Sequence, residues 1–165
     1  MPLTLIGSCH CGAVRFTCDS HTPVPYQRCY CSICRKTAGG GGYAINLGAD
    51  ARTLAVEDPH KAVRIFRAEI RQEDGTCALS RAERNFCSRC GTALWLFSPE
   101  WPDLVHPFAS AIDSELPAPQ SSVHMMLRFK PAWVAPAIGQ DDQTFDLYSE
   151  QSLEDWHKSR GLWVA

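Results

Sequence analysis

The sequence lacks both a long apolar run and a strong charge of either sign. No window approaches the roughly 18 consecutive apolar residues that a membrane-spanning helix needs. Residues 1–7 have neither the basic start nor the apolar core of a signal peptide. The formal net charge of −2 argues against a nucleic-acid or anionic-membrane binder that depends on bulk charge. We therefore expect a cytoplasmic protein with no membrane or nucleic-acid partner.

Internal repeats, low-complexity tracts and charge runs are also missing, so we expect one domain spanning residues 1–165. Helical patterning is scarce: residues 152–159 predict a helix capped by Ser149 or Ser152, and residues 32–38 predict a single helical turn. Short strand-like segments separated by turns predict a mainly-β fold with a short C-terminal helix. The predicted strands are residues 12–18, 26–31, 43–47, 63–67, 93–97, 103–109 and 123–129. Residues 69–84 should form a surface hairpin or loop.

Cysteine, by contrast, is abundant. Nine cysteines cannot all pair within one chain, and in a reducing compartment they are better explained as metal ligands than as disulfides. Seven of them form three clusters with the patterns CxC, CxCxxC and CxxC: Cys9 and Cys11; Cys29, Cys31 and Cys34; Cys87 and Cys90. Of the other two, Cys18 should be buried in a strand, whereas Cys77 should be exposed beside the polar turn at residues 73–76.

Seven sulfurs divide into four and three. Four complete a tetrahedral zinc site, whereas three leave one position open. The middle cluster can hold one ion by itself, so the two outer pairs should join across the fold around a second ion, with the CxC in an extended strand that points both sulfurs to one side. The alternative is two closed, structural sites, with His10, His124 or an aspartate as the eighth ligand.

An open three-cysteine site would suit a soft donor, and the soft donor available in a cell is a thiol. Arg35 and Lys36 follow the cluster directly and could hold a substrate carboxylate beside the flexible glycines at 39–42. The alternative for this segment is a solvated basic turn. His106 and His124 are candidates for proton transfer, or else packed histidines.

Three ordered motifs carry a family resemblance: residues 7–16 around Cys9 and Cys11, residues 29–36, and residues 86–91. They resemble the glutathione-dependent formaldehyde-activating (Gfa) family, to which centromere protein V is similar. Residues 152–157 also look like the end of many members. One departure is Tyr30, where the family often has histidine.

The resemblance implies an Mss4-like β fold with two Zn²⁺ ions per chain. It implies a structural ion on the two outer pairs, Cys9, Cys11, Cys87 and Cys90, and a catalytic ion on Cys29, Cys31 and Cys34. The activity it implies is the condensation of glutathione with formaldehyde to S-(hydroxymethyl)glutathione, a carbon–sulfur lyase reaction run in reverse.

The leading hypothesis is therefore a zinc-dependent enzyme of thiol–aldehyde adducts. A thiol such as glutathione would take the fourth position as thiolate and attack a small aldehyde, with Arg35, Lys36 and His124 as candidate substrate-binding residues. A second hypothesis is a non-catalytic zinc module that binds a protein partner. A third is a redox dithiol at Cys87 and Cys90, although the βαβ context of such motifs is missing.

Overall fold

The computed structural model describes residues 1–72 and 74–165. Within them the chain forms fourteen short strands and two short α-helices. The strands are β1 Leu3–Ser8, β2 Arg15–Ser20, β3 Gln27–Cys29, β4 Ala44–Ile45, β5 Ala49–Asp50, β6 Ala55–Glu57, β7 Val63–Phe66, β8 Glu69–Arg71, β9 Cys77–Leu79, β10 Glu83–Cys87, β11 Ala93–Phe97, β12 Leu104–Pro107, β13 Val123–Met125 and β14 Gln143–Thr144. The helices are α1 Ser32–Thr37 and α2 Leu153–Ser159. The mainly-β prediction is confirmed.

The first sheet is the antiparallel hairpin β1–β2, with β6 on the other side of β2. Alternate residues of β2 point to opposite faces, so Phe16 and Cys18 are both buried whereas Arg15 is exposed. Cys18 is 1% exposed, as expected for a strand residue. Phe16 makes an edge-to-face contact with Trp95 of β11 at a centroid distance of 5.1 Å, which joins this sheet to the next.

The second sheet has five antiparallel strands in the order β5–β12–β11–β10–β7. Its pairing is interrupted by an irregularity between Asn85 and Phe86 on β10, which is where the strand approaches the cysteine turn that follows it. The β8–β9 hairpin lies outside this sheet, with all six strand residues exposed. The surface hairpin expected at 69–84 is confirmed for the β8–β9 pair, and Cys77 is exposed as predicted, but Glu83 and Arg84 belong to β10 and Arg84 is buried. The predicted polar turn at 73–76 includes Glu73, which lies outside the described residues.

The third sheet has the order β14–β13–β3–β4. Strand β13 runs parallel to β3, and this pairing sets Met125 opposite Cys29. The prediction of a strand over 123–129 is wrong beyond Met125: Met126 adopts a left-handed conformation with φ of 63°, and Leu127–Phe129 form a 3₁₀ turn. The prediction did not include strands β1, β5, β6, β10 and β14.

The C-terminal helix α2 confirms the helix predicted at 152–159. Ser152 is its N-cap, since the Ser152 hydroxyl accepts the backbone N–H of Asp155 at 3.0 Å. Trp156 is 1% exposed and stacks on Tyr26 at a centroid distance of 3.5 Å. This contact packs the helix onto the segment that leads into β3. In the part of the chain that the structure describes, neither helix has the length and apolar character to cross a membrane.

Candidate metal centre

Four cysteines from two distant turns meet in one cluster. Cys9 follows β1 in a turn closed by the N–H of Gly12 on the Cys9 carbonyl, and Gly12 has φ of 73°, which suits glycine. The prediction that the CxC lies in an extended strand is therefore wrong. Cys87 ends β10 and begins the matching turn, in which Gly91 N–H donates to the Cys87 carbonyl at 2.7 Å. Tight turns, rather than strand alternation, point the two pairs of sulfurs toward each other.

The spacing of these sulfurs suits a tetrahedral ion. The Sγ atoms of Cys9 and Cys11 are 3.6 Å apart, and those of Cys11 and Cys87 are 3.8 Å apart. Two sulfurs that are each about 2.3 Å from a zinc ion at the tetrahedral angle lie about 3.8 Å from one another. All four sulfurs, including that of Cys90, lie within 4.8 Å of each other and could hold a metal ion. His10 is exposed, and its backbone N–H donates to Thr92.

The second cluster is built on one short segment. Cys29 ends β3, Cys31 is the N-cap of α1, and Cys34 lies within that helix. The three Sγ atoms lie within 4.8 Å of each other and could hold a second ion. Cys29 and Cys34 are buried, whereas Cys31 is half-buried, so this cluster is accessible from the Cys31 side. Across the described residues, no histidine or carboxylate joins either cluster as a further potential ligand.

The thiols of the second cluster share their protons unequally. Hydrogen bonds from Cys29 and Cys34 lower the pKa of Cys31, and they outweigh the effect of burial. The same contacts with Cys31 and Cys34, together with burial, raise the pKa of Cys29. The group therefore favours one thiolate hydrogen-bonded by two thiols. Such an arrangement concentrates negative charge where a cation can replace the remaining protons.

Two polar side chains that sequence reasoning missed approach the second cluster. Arg84 Nη2 is 4.0 Å from Cys34 Sγ, and Asn46 Nδ2 is 3.8 Å from the same sulfur. Both come from other parts of the chain, fifty and twelve residues away along the sequence. The only local signal for Arg84 was an arginine at the second position of β10, which proves to be buried.

A buried hydrogen-bond chain supports the segment between Cys29 and Cys31. The Tyr30 hydroxyl lies 2.9 Å from His124 Nδ1, and His124 Nε2 lies 3.1 Å from Asp142 Oδ2. Because the carboxylate accepts, Nε2 carries the histidine proton and Nδ1 accepts the tyrosine hydroxyl. Backbone N–H groups of Gly139 and Ser122 also donate to Asp142; with His124, they outweigh burial and lower the pKa of Asp142.

The structure shows where the two predicted histidines, His124 and His106, lie. The Tyr30 hydroxyl is directed at His124, and both residues are fully buried, so His124 lies where a ligand from solvent does not reach it. Asp142 was not predicted, since no motif contains it. His106 Nδ1 donates to the Leu47 carbonyl at 3.1 Å, and burial lowers the pKa of His106.

Two adjoining clefts lie beside α1. The first, which we call the polar cleft, has a volume of about 390 Å³ and is lined by the predicted Arg35 and Lys36 together with Gly39, Gly40, Thr92 and Ser110. The second, which we call the apolar cleft, has a volume of about 360 Å³ and is lined by Phe66, Arg84, Asn85, Phe86, Ala93 and Phe108. Thr37, Gly91 and Ala93 border both clefts. Arg35 and Lys36 are thus next to an opening, as a binding role requires.

Comparison with known proteins matches the part of the chain that carries the cysteine pattern. The model of the glutathione-dependent formaldehyde-activating enzyme (GFA) family matches residues 4–126, which include both clusters. The chain belongs to the GFA family. That family is Mss4-like, so the prediction of an Mss4-like, mainly-β fold with a short C-terminal helix is confirmed, and its two cysteine clusters are suited to zinc.

One curated relative and one solved structure extend this comparison. A Halomonas elongata protein is 56% identical over 160 residues, covering 97% of this chain and 98% of that protein; it carries the provisional name of a glutathione-dependent formaldehyde-activating enzyme. A crystal structure of a Rhodobacter sphaeroides protein matches with a TM-score of 0.50 and 22% identity, over 70% of this chain and 92% of that chain. The second likeness concerns the fold alone.

Proposed function

We propose that this GFA-family chain is a zinc-dependent carbon–sulfur lyase-type enzyme of thiol–aldehyde adducts. Its reaction would resemble S-(hydroxymethyl)glutathione synthesis from glutathione and formaldehyde. The observation that carries this proposal is a three-sulfur cluster accessible at Cys31, beside a cleft that bears Arg35 and Lys36. The name of the Halomonas elongata relative supports the same pair of substrates.

We assign the four-sulfur cluster to a structural zinc ion and Cys29, Cys31 and Cys34 to a catalytic one. Zinc suits both donor sets, because thiolate sulfur is its common protein ligand, and the sulfur spacings in the four-cysteine cluster match its tetrahedral geometry. In the second site a zinc ion, when bound, supplies the positive charge that keeps a thiol substrate in its nucleophilic thiolate form.

The chain's own residues would then bind and orient the substrates. Arg35 and Lys36 offer cations for the carboxylates of a glutathione-like thiol, and Gly39 and Gly40 let its backbone approach closely. Tyr30 and His124 would position the cysteine segment rather than touch substrate, because both are fully buried. In the reaction a sulfur–carbon bond forms, the carbonyl π bond breaks, and the proton lost by the thiol is replaced on the new hydroxyl by one from water.

The test is metal content followed by adduct synthesis. Zinc-loaded wild-type protein should contain two ions and should speed the approach of glutathione and formaldehyde to equilibrium, measured by NMR exchange. Cys34→Ser should lose one ion and this activity while keeping its circular dichroism spectrum. Cys77→Ser is the matched control, because Cys77 is exposed and outside both clusters.

Two results would contradict the proposal. Loss of the fold in Cys34→Ser would make the second site structural. Two bound ions with neither glutathione binding nor adduct synthesis would favour the non-catalytic interaction module instead.

A further inference from the structure

The apolar cleft lies on the face of the five-stranded sheet that is turned toward α1. Across β10, Arg84 is paired with Phe66 and Phe86 with Ala93, and residues paired in this way project from the same face. Thr37 of α1 borders the cleft, three residues after Cys34. The cleft is therefore formed between aromatic side chains of the sheet and the helix that carries Cys34.

The cleft also adjoins the three-cysteine cluster. Ala93 and Phe108, which line the cleft, pack in the same hydrophobic cluster as Cys29 and Cys34. Arg84 lines the cleft while its Nη2 is 4.0 Å from Cys34 Sγ. A molecule in this cleft would be next to the sulfurs of the proposed catalytic site.

Arg84 brings a buried charged donor to a lining whose other polar residues are Thr37 and Asn85. The residue is 8% exposed, and among the described residues its Nε–H has no hydrogen-bond partner, no carboxylate pairs with its guanidinium, and Nη2 contacts Cys34 Sγ. A buried N–H without an acceptor costs free energy, and guanidinium can only donate. The Arg84 guanidinium is thus a hydrogen-bond donor group on the wall of the cleft.

We propose that the apolar cleft binds the carbon chain or ring of an aldehyde larger than formaldehyde, and that Arg84 donates to its carbonyl oxygen. This inference rests on the proposed function. Formaldehyde has two heavy atoms, whereas a cleft of about 360 Å³ falls in the size range of sites for whole small molecules. The polar cleft is left for the thiol, whose carboxylates suit Arg35 and Lys36.

The chemistry of this step is an addition. The sulfur of the thiolate attacks the carbonyl carbon, the sulfur–carbon bond forms, and the electron pair of the carbonyl π bond moves to oxygen. Arg84 keeps its protons and stabilises the developing negative charge by hydrogen bonding. Water then protonates the oxygen, so thiol and aldehyde combine into a hemithioacetal and nothing leaves.

The experiment compares aldehydes of increasing size in the zinc-loaded protein with glutathione. Rates of hemithioacetal formation above the uncatalysed rate are measured for formaldehyde, acetaldehyde, hexanal and benzaldehyde. We expect kcat/KM for hexanal to exceed that for acetaldehyde by about tenfold or more, because each methylene in an apolar pocket improves discrimination. Phe66→Ala should reduce this preference by about tenfold. Ile65→Ala is the matched control, because Ile65 is its neighbour on β7 and lies outside the cleft lining.

Binding without turnover provides a second readout. Hexanamide keeps the carbonyl oxygen and the chain of hexanal but does not accept a thiol. Its titration should shift the Arg84 Nε–H resonance in a nitrogen–proton correlation spectrum, whereas acetamide at the same concentration should not. Arg84→Met should lower kcat with hexanal, and Arg84→Lys should restore part of it, since a charge remains without the same donor geometry.

The outcomes separate this inference from the proposed function. Turnover of formaldehyde without a preference for hexanal, or an Arg84 signal unmoved by hexanamide, would overturn the inference and leave the proposed function intact. If no aldehyde reacts, the proposed function fails, and the aldehyde assignment fails with it even when hexanamide binds.

Discussion

Removing the Asp142 carboxylate tests whether the buried chain from Asp142 through His124 to Tyr30 supports the three-cysteine segment. Asp142 accepts three hydrogen bonds: from Ser122 N–H at 2.6 Å, from Gly139 N–H at 2.9 Å and from His124 Nε2 at 3.1 Å. In Asp142→Ala, the exposed Gly139 N–H can turn to water. Ser122 and His124, which are 5% and 0% exposed, would keep donors without acceptors.

Each buried donor left without an acceptor costs about 1–3 kcal/mol. We therefore expect Asp142→Ala to lower the free energy of unfolding by about 3 kcal/mol, and Tm by about 10 °C for a chain of this length. The assay is urea denaturation followed by circular dichroism at pH 7. Asp141→Ala is the matched control, because the neighbouring carboxylate is exposed and makes no hydrogen bond among the described residues.

The lowered pKa of Asp142 sets the direction in which its contribution to stability changes with pH. Since the pKa of Asp142 is lowered in the folded state, its contribution is fully present above the unfolded value of about 3.9. The contribution is lost as the pH falls through the lower folded value. The difference between wild type and Asp142→Ala should therefore be constant from pH 7 to about pH 5 and shrink below about pH 4.

The same substitution should weaken the second metal site. Tyr30 lies between Cys29 and Cys31 and loses its fixed partner when His124 is no longer held. Competition with a chelator should release one of the two ions earlier in Asp142→Ala than in Asp141→Ala. A variant within 0.5 kcal/mol of wild type, with unchanged release of both ions, would refute the reasoning.

Three further predictions use other parts of the structure. Cys90→Ser should lose one ion and destabilise the fold more than Cys34→Ser, because the four-sulfur site joins turns that are 76 residues apart; equal unfolding curves would contradict this. Arg35→Gln combined with Lys36→Gln should raise the Kd of glutathione, measured by calorimetry, by about tenfold. The Kd of mercaptoethanol, which has no carboxylate, should not change. An equal rise in Kd for both thiols would contradict this prediction. His157 donates from Nδ1 to the Leu153 carbonyl and accepts the Val24 N–H, and burial lowers its pKa. Its folded pKa is below the unfolded value of about 6.5, so stability should fall as the pH drops through 6.5, by up to about 1.4 kcal/mol per pH unit. His157→Gln should be less pH-dependent in denaturant titrations, whereas exposed His60→Gln should match wild type.

Much of the candidate site could be predicted because its donors are close together in the chain. Cys29, Cys31 and Cys34 lie within six residues, so a strand end followed by one helical turn brings their sulfurs together with little help from the rest of the fold. Arg35 and Lys36 follow in the same turn and reach the polar cleft for the same reason. The strand alternation at residues 12–18 likewise placed Cys18 in the core, since alternate residues of a strand face opposite sides.

Other features depend on contacts that local pattern does not encode. Strand β13 pairs in parallel with β3, and this long-range pairing brings His124 to Tyr30. Asp142 joins them through a loop that carries no motif. The CxC proved to lie in a turn rather than a strand, because Gly12 adopts a positive φ that closes the chain on Cys9.

The sequence by itself determined the cysteine count, its division into four and three, the mainly-β character and the family, because each depends on residue identity and short spacing. Only the tertiary structure decided what surrounds the three sulfurs. Arg84 reaches Cys34, and Phe66, Phe86 and Phe108 enclose the cleft beside it, because strand pairing brings together residues that are far apart in the chain. Because Arg84 is buried, water does not solvate its charge, and the guanidinium needs an acceptor from the protein or from a bound molecule.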